Sequence, residues 1–137
     1  MAKSLKKIVK KFYNSDAYKS REIMKEFLHK DCELFWNSSK GFMKFDYYGL
    51  LELSDTLSTA YKSLRAEISH LLRDDNFVTA RYTYYVRTIE NPDEELPLAH
   101  FITIWELKNG KLYRGYELSQ QADDTPANLK SFLTVKD

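Results

Sequence analysis

A glutamate and a histidine stand where a tight turn would bring two strands together. Asn109-Gly110 separates two runs of alternating apolar and polar residues, a pattern typical of a two-residue β-hairpin turn. Strict alternation outward from this turn places His100, Ile102 and Glu117 on one face of the hairpin. His100 and Glu117 are then diagonal neighbours within reach of each other. An apolar setting raises the pKa of a carboxyl group and histidine titrates near neutral pH, so the pair could exchange protons with a substrate.

The same pair also has a purely structural interpretation. Buried polar groups in any core need hydrogen-bond partners, and a contact between Glu117 and His100 would satisfy that need without any reaction. Gly115, beside Glu117 on the strand, lacks a side chain and would leave space that a core normally fills. We therefore take Glu117 and His100 as candidate catalytic residues. Tyr113, on the same predicted face, is a candidate ligand contact.

A second candidate group lies on the first predicted strand, residues 32–37. Alternation puts Glu33, Phe35 and Asn37 on one face, which we assign to the pocket. The amide of Asn37 offers a ligand both a donor and an acceptor, although it could equally be a turn residue that closes the strand. Residues 38–41 are predicted to form a loop across the rim of the pocket.

Two further side chains are candidate ligand contacts. Arg81 lies on a long predicted strand, where it either reaches the ligand or pairs with Glu67 on the neighbouring strand. Tyr48 lies on a predicted helix and could offer its hydroxyl to a ligand, or it is an ordinary core aromatic. The three histidines fall on separate elements without ligand-motif spacing, so we expect no metal. No phosphate-binding loop is present, and we expect no cofactor.

The composition is that of one globular domain spanning residues 1–137. Hydrophobic residues make up 43% of the chain and aromatic residues 15%, and the net charge is +1. Such a charge gives no strong field for nucleic acid or a lipid surface. No apolar run has the length needed to span a bilayer, and the single cysteine, Cys32, excludes an intramolecular disulfide. We therefore expect a cytoplasmic protein that binds neither nucleic acid nor a membrane.

Helical periodicity comes early in the chain and strand alternation comes late. Apolar residues recur at helical spacing from Leu5 to Tyr13 and again after Ser20, which is a predicted N-cap. A third helix is predicted at about residues 46–63. The predicted strands are residues 32–37, 66–73, 77–90, 98–107 and 112–121.

This order implies an α+β fold in which three N-terminal helices pack on one face of a curved antiparallel sheet. Asp123 to Pro126 predicts the capped start of a short C-terminal helix. A sheet bent over helices leaves a cone with an open mouth, and a small-molecule ligand is expected there.

The chain resembles the nuclear transport factor 2-like superfamily, and within it the SnoaL-like small bacterial proteins. The resemblance is carried by the order of elements, the short strand before the third helix and the segment FITIWELKNGKLYRG, and it covers nearly the whole chain. It implies the cone-shaped α+β fold. Because the superfamily includes isomerases, dehydratases, epoxide hydrolases and non-catalytic binders, it leaves the reaction open.

The resemblance also bears on the candidate residues. Glu117 matches in hairpin position the acidic residue that pocket-bearing members place on their last strand. Phe35, Asn37 and Arg81 resemble the tyrosine, asparagine and arginine that orient water in the limonene epoxide hydrolase branch. Thr83 stands where that branch has an aspartate, so epoxide hydrolysis by that route is not expected.

We therefore predict a protein that holds a small, mostly apolar ligand in its cone. Its expected chemistry is proton transfer, as in an isomerase, dehydratase or cyclase, with Glu117 as base and His100, Asn37 or Tyr48 as polar support. The alternative is a non-catalytic binding or dimerisation module.

A homodimer through the sheet is also expected. Members of the superfamily commonly dimerise in this way, and the face opposite Glu117 is predicted to carry Phe101, Trp105, Tyr116 and Leu118, which a monomer would rarely expose. If the two faces are exchanged, Thr103, Arg114 and Tyr116 line the cavity instead.

Overall fold

A computed structural model of the chain describes residues 4–122. The C-terminal helix predicted from Asp123 lies outside the described residues. The helices are α1 (Leu5–Asn14), a short 3-10 helix (Ala17–Lys19), α2 (Arg21–Phe27) and α3 (Tyr47–Ala60). The strands are β1 (Leu28–Ser38), β2 (Gly41–Asp46), β3 (Tyr61–Asp74), β4 (Phe77–Thr88), β5 (Glu95–Lys108) and β6 (Lys111–Gln121).

Side-chain caps fix where the helices begin. The Ser20 side chain accepts a hydrogen bond from the Ile23 amide and begins α2, as the sequence predicts. The Asp46 carboxylate does the same for the Gly49 amide at the start of α3, over 2.8 Å. The third helix ends at Ala60, three residues before the predicted end, because β3 begins at Tyr61 and is longer than expected.

The six strands form one sheet in the order β2-β1-β6-β5-β4-β3. All neighbours are antiparallel except β1 and β6, which run parallel. The fold is therefore the predicted α+β cone with a mixed sheet. The extended segment β2 was not predicted: it folds back on β1 after Ser39-Lys40, so residues 38–41 form a hairpin turn.

The β5–β6 hairpin contains both the best-predicted and the worst-predicted feature of the fold. Asn109 and Gly110 both have positive φ, 54° and 74°, as the predicted turn requires. Lys108 pairs with Lys111 and Leu107 with Leu112, but Glu106 then pairs with Arg114. Tyr113 is left without a partner in a β-bulge. Every pair beyond the bulge is shifted by one residue from the predicted register.

The concave face of the sheet packs on the helices and forms the core. Its largest fully buried side chains include Trp105, Tyr82 and Leu34, which lie against Val9 and Phe12 of α1. The Trp105 indole donates a hydrogen bond to the Tyr13 hydroxyl over 2.9 Å, which satisfies its buried N–H. The convex face points away from the helices.

Candidate active site

A small cavity lies between the concave face of the sheet and the helices. Its volume is about 90 Å³. Trp36 of β1 and Glu117 of β6 are paired neighbours across the parallel strands, and Phe101 lies on β5 beside them. The lining residues are Tyr18, Leu34, Trp36, Leu53, Leu57, Leu64, Tyr84, Leu98, Phe101 and Glu117.

Glu117 is the acidic group of this cavity, and two hydroxyl groups hold it from one side. The Thr103 hydroxyl donates to Oε1 over 2.7 Å, and the Tyr82 hydroxyl donates to the same oxygen over 3.1 Å. Among residues 4–122, no donor hydrogen-bonds the other oxygen, Oε2. The carboxyl group is therefore held through Oε1, and Oε2 has no donor within this part of the protein.

Burial changes the acidity of Glu117. Only 7% of the residue is exposed, and desolvation raises the pKa of its carboxyl group to about 7, although the hydrogen bonds from Thr103 and Tyr82 lower it. A carboxyl group with such a pKa is both a base and an acid near neutral pH, as a proton-transfer catalyst requires.

Two tyrosine hydroxyls lie near the same space. Tyr18 and Tyr84 both line the cavity, with ring centroids 5.8 Å apart in an edge-to-face contact. Burial raises the pKa of each hydroxyl well above its ordinary value, so both remain neutral donors. Neither hydroxyl makes a hydrogen bond within the part of the chain that the structure describes. Both hydroxyls are therefore neutral and lack a hydrogen-bond partner among residues 4–122.

Comparison with known proteins identifies the architecture. No family model matches the chain. No curated protein matches it in sequence. Among solved structures, it is similar to IdmH of Streptomyces antibioticus, a candidate polyketide cyclase, with 12% identity and a TM-score of 0.67 over 97% of this chain and 100% of that one. The chain has the nuclear transport factor 2-like fold.

Two further structures share this nuclear transport factor 2-like fold. A candidate SnoaL-like polyketide cyclase from Shewanella denitrificans is 9% identical, with a TM-score of 0.66 over 95% of this chain and 96% of that one. A hypothetical protein of Catenulispora acidiphila with a ketosteroid isomerase-like fold, in complex with trimethylamine, is 10% identical, with a TM-score of 0.62 over 80% of this chain and 82% of that one. The TM-scores show a shared fold, and at identities this low they show the fold alone.

The fold places His100 and Glu117 on opposite faces of the sheet, contrary to the predicted pairing. Glu117 pairs with Thr103 on the concave face, while His100 is buried on the convex side and its Nδ1 lies 2.8 Å from the Thr83 hydroxyl. The prediction assumed strict alternation, and the bulge at Tyr113 reverses the face of every later residue of β6. The two side chains therefore form no catalytic pair.

Phe35 and Asn37 also lie outside the nuclear transport factor 2-like cone. They share the convex face with Glu33, while Leu34 and Trp36 point into the cavity, so the assignment of faces on β1 was wrong. The Phe35 ring stacks on Tyr116 with centroids 5.5 Å apart.

Three other predicted ligand contacts are distant from the cavity lining. Arg81 is on the convex face of β4 and donates to the Ser69 hydroxyl over 3.0 Å. Tyr48 is 70% exposed at the start of α3. Tyr113 stacks beneath the Arg114 guanidinium, 4.0 Å from its ring centroid.

The space beside Gly115 is filled, contrary to the prediction that it stays open. A Cβ atom there would lie 2.7 Å from Leu34 Cδ1 and 2.7 Å from Trp105 Cζ3. Gly115 therefore lets the Trp105 ring pack flat against the sheet. The cavity lies further along the strand, at Glu117.

Three tyrosines, Tyr18, Tyr82 and Tyr84, were not predicted as parts of the site. One signal was available for Tyr82 and Tyr84, since they alternate with Val78, Ala80 and Val86 on β4 and so share its apolar face. Tyr18 lies on a three-residue 3-10 helix without periodicity, and the sequence carries no comparable signal for it.

No three His, Cys, Asp or Glu residues among those described form a metal cluster. No helix in this part of the chain is long and apolar enough to cross a membrane.

Proposed function

We propose that the chain binds a small, mostly apolar molecule with one polar group in its cone and transfers a proton at that molecule. The observation that carries the proposal is Glu117, a buried carboxyl group that lines an apolar cavity with a pKa of about 7. Desolvated carboxylates of this kind serve as general bases. The reaction class is an isomerisation, dehydration or cyclisation.

In this mechanism, Glu117 Oε2 removes a proton from a carbon atom of the substrate. The electron pair of the C–H bond remains on the substrate and moves toward its polar group, while the proton passes to the carboxylate. Tyr18 and Tyr84 supply neutral hydroxyls that can donate to an oxygen on which negative charge develops. The protonated Glu117 then returns the proton at another atom, which completes an isomerisation.

The structural neighbours support ligand binding in this fold. One of them is in complex with trimethylamine. Two others are candidate polyketide cyclases.

The single cysteine of this chain, Cys32, is free and buried, which supports a location in the reducing cytoplasm.

Hydrogen–deuterium exchange into small ketones tests the proposal. The protein is incubated with a panel of short ketones in deuterated buffer, and loss of α-proton signal is followed by NMR. We expect exchange that increases with pH through about 7, and a decrease of about 100-fold or more in Glu117→Gln. Glu33→Gln is the matched control, because Glu33 is a glutamate on the convex face of β1.

The outcomes separate catalysis from binding alone. Equal exchange in wild type, Glu117→Gln and Glu33→Gln contradicts the role of Glu117 as base. Ligand binding that Glu117→Gln weakens, without exchange by the wild type, shows a non-catalytic binding module. A Glu117→Gln variant that remains folded but has lost exchange supports the enzyme.

The convex face supports a homodimer as a second proposal. It exposes large apolar side chains on β5 and β6, namely Ile102, Ile104, Tyr116 and Leu118, and an apolar patch of this kind marks an interaction site. Four residues were predicted on this face. Tyr116 and Leu118 lie on it, whereas Phe101 and Trp105 are buried in the core.

Sedimentation of two lysine variants tests this dimer. Leu118 is 62% exposed on β6 and Ile89 is 54% exposed just after β4. We expect Leu118→Lys to weaken association at least tenfold, since it places a charge within the apolar patch, while Ile89→Lys leaves association unchanged. A wild-type protein that remains monomeric at high concentration contradicts the proposal.

A further inference from the structure

The charge of the cavity wall restricts the ligand. Glu117 is the one acidic side chain among its lining residues, and within the described chain no lysine, arginine or histidine lines the cavity. None of the six ion pairs in this part of the protein includes Glu117. When the carboxylate ionises, its charge therefore has no cation beside it, and a buried charge of that kind is costly.

Aromatic rings supply the second restriction. Tyr18, Trp36, Tyr84 and Phe101 contribute four rings to the lining, next to leucine side chains. Ring faces attract alkylammonium cations, which are weakly hydrated and so enter an apolar site at lower cost than a metal ion. The Trp36 indole N–H is already bonded to the Ser119 hydroxyl over 2.8 Å, which fixes the orientation of its ring.

The volume supplies the third restriction. The cavity measures about 90 Å³, well over the volume of about 10–15 Å³ that one water molecule needs. A pocket for a drug-sized molecule begins at about 300 Å³. The cavity beside Glu117 therefore fits a compact branched group.

We infer that the cone binds a small branched alkylammonium ion, whose N–H group donates to Glu117 Oε2 while its alkyl groups contact the rings and leucines. This inference rests on the proposed function, because the ion occupies the same site. With its nitrogen at Oε2 the ion takes the place of the substrate, so it is a ligand that blocks proton transfer and is not itself the substrate. The bound cation neutralises a carboxylate that has no counter-ion among residues 4–122. A neutral ligand would not do so.

A matched pair of probes tests the charge directly. tert-Butylammonium and tert-butanol have the same number of non-hydrogen atoms and both are hydrogen-bond donors, but only the first carries a charge. Binding is measured by calorimetry and by the fluorescence of Trp36. At pH 8 we expect tert-butylammonium to bind at least tenfold more tightly than tert-butanol.

The pH and a variant then assign the preference to Glu117. The amine stays protonated throughout, so its affinity should decrease about tenfold from pH 8 to pH 6 as the carboxyl group becomes neutral. Glu117→Gln should bind both probes with similar affinity. Circular dichroism verifies that this variant is folded, and Glu33→Gln should retain the full preference for the cation.

Each outcome gives a decision. If tert-butanol binds as tightly as the cation and changes Trp36 fluorescence, the charge inference is overturned and the proposed pocket stands. A cation preference that survives in Glu117→Gln also overturns the inference, since it would arise elsewhere on the surface. If neither probe binds, the inference is overturned, while hydrogen–deuterium exchange into ketones still decides the proposed function.

Discussion

The two faces of the sheet shift the pKa of a glutamate in opposite directions. Glu117 on the concave face is buried in an apolar cone, and desolvation raises the pKa of its carboxyl group to about 7. Glu33 on the convex face lies 2.9 Å from the Lys44 ammonium and 3.3 Å from the Arg114 guanidinium. The hydrogen bond from Lys44 lowers the pKa of the Glu33 carboxyl group.

The difference shows that chemistry in this fold depends on which face a residue occupies. On the convex face a carboxylate finds a cation and water, and such surface ion pairs contribute little to stability. On the concave face Glu117 accepts hydrogen bonds from two hydroxyls and, within the part of the chain that the structure describes, pairs with no cation, so it is able to accept and release a proton near neutral pH. The position of the bulge at Tyr113 decides which of these environments Glu117 enters.

The largest expected difference between the faces concerns packing. Leu112 and Leu118 lie on the same strand, the first fully buried and the second 62% exposed. We expect Leu112→Ala to decrease the free energy of unfolding by about 2–5 kcal/mol, because it leaves a cavity in the core. Leu118→Ala should change it by less than about 0.5 kcal/mol in a monomer. Urea denaturation of both variants at low protein concentration measures the difference, and equal effects would contradict the assigned faces.

The second prediction concerns the pH dependence of stability. The pKa of Glu117 is about 7 in the folded state, whereas the ordinary value of 4.5 applies in the unfolded chain. The folded protein therefore binds the proton of Glu117 more tightly than the unfolded chain does, and this difference stabilises the folded state. The stabilisation is complete below pH 4.5 and is lost as the pH rises through 7. The loss amounts to about 3 kcal/mol by pH 8.

Glu117→Gln should remove this dependence. Relative to wild type, the variant should become more stable by about 3 kcal/mol between pH 4.5 and pH 8, since Gln carries no charge to bury. Denaturation at a series of pH values measures the change, with Glu33→Gln as the control. A stability difference between Glu117→Gln and wild type that is constant with pH would show that Glu117 is not the buried acid described here.

The sequence predicted the elements of this fold well because their signals are local. The Ser20 cap, the apolar spacing in α1 and the Asn109-Gly110 turn each act over a few residues, and the structure confirms all three. A raised pKa was also predicted for Glu117, and burial does raise it to about 7, although the predicted neighbours His100 and Ile102 lie on the other face. Its role as a base remains a prediction.

The sequence did not predict which residues surround Glu117, because that depends on register. A single unpaired residue, Tyr113, shifts every later pair of the hairpin and moves Glu117 from the side of His100 to the side of Thr103. Nothing in the spacing of the residues indicates such a bulge. On β1 a signal was available: Leu34 and Trp36 are apolar and Glu33 and Asn37 are polar, which favours burial of the first pair.

A third prediction concerns the closest packing on the concave face. Gly115→Ala should decrease the free energy of unfolding by about 1–3 kcal/mol, because the new methyl group would overlap Leu34 and the Trp105 ring. The double variant Gly115→Ala/Leu34→Ala should lose less than the sum of the two single effects, since the second change removes one of the overlapping groups. Thermal unfolding of the three variants measures this coupling, and strict additivity would contradict the close approach.

The smallest expected effect is on the pKa of Glu117, and it should differ between substitutions of two buried threonines, one on each face. Thr103 donates to Glu117 on the concave side, and Thr83 lies against His100 on the convex side. Thr103→Val should raise the pKa of Glu117 further, because the lost hydrogen bond favours the ionised form. Thr83→Val should leave that pKa unchanged, since the sheet separates its side chain from the carboxyl group. Carbon NMR titration of the Glu117 carboxyl in both variants measures the two pKa values. An equal shift in both would show that the faces are coupled, whereas a shift in Thr103→Val alone supports two independent environments on one sheet.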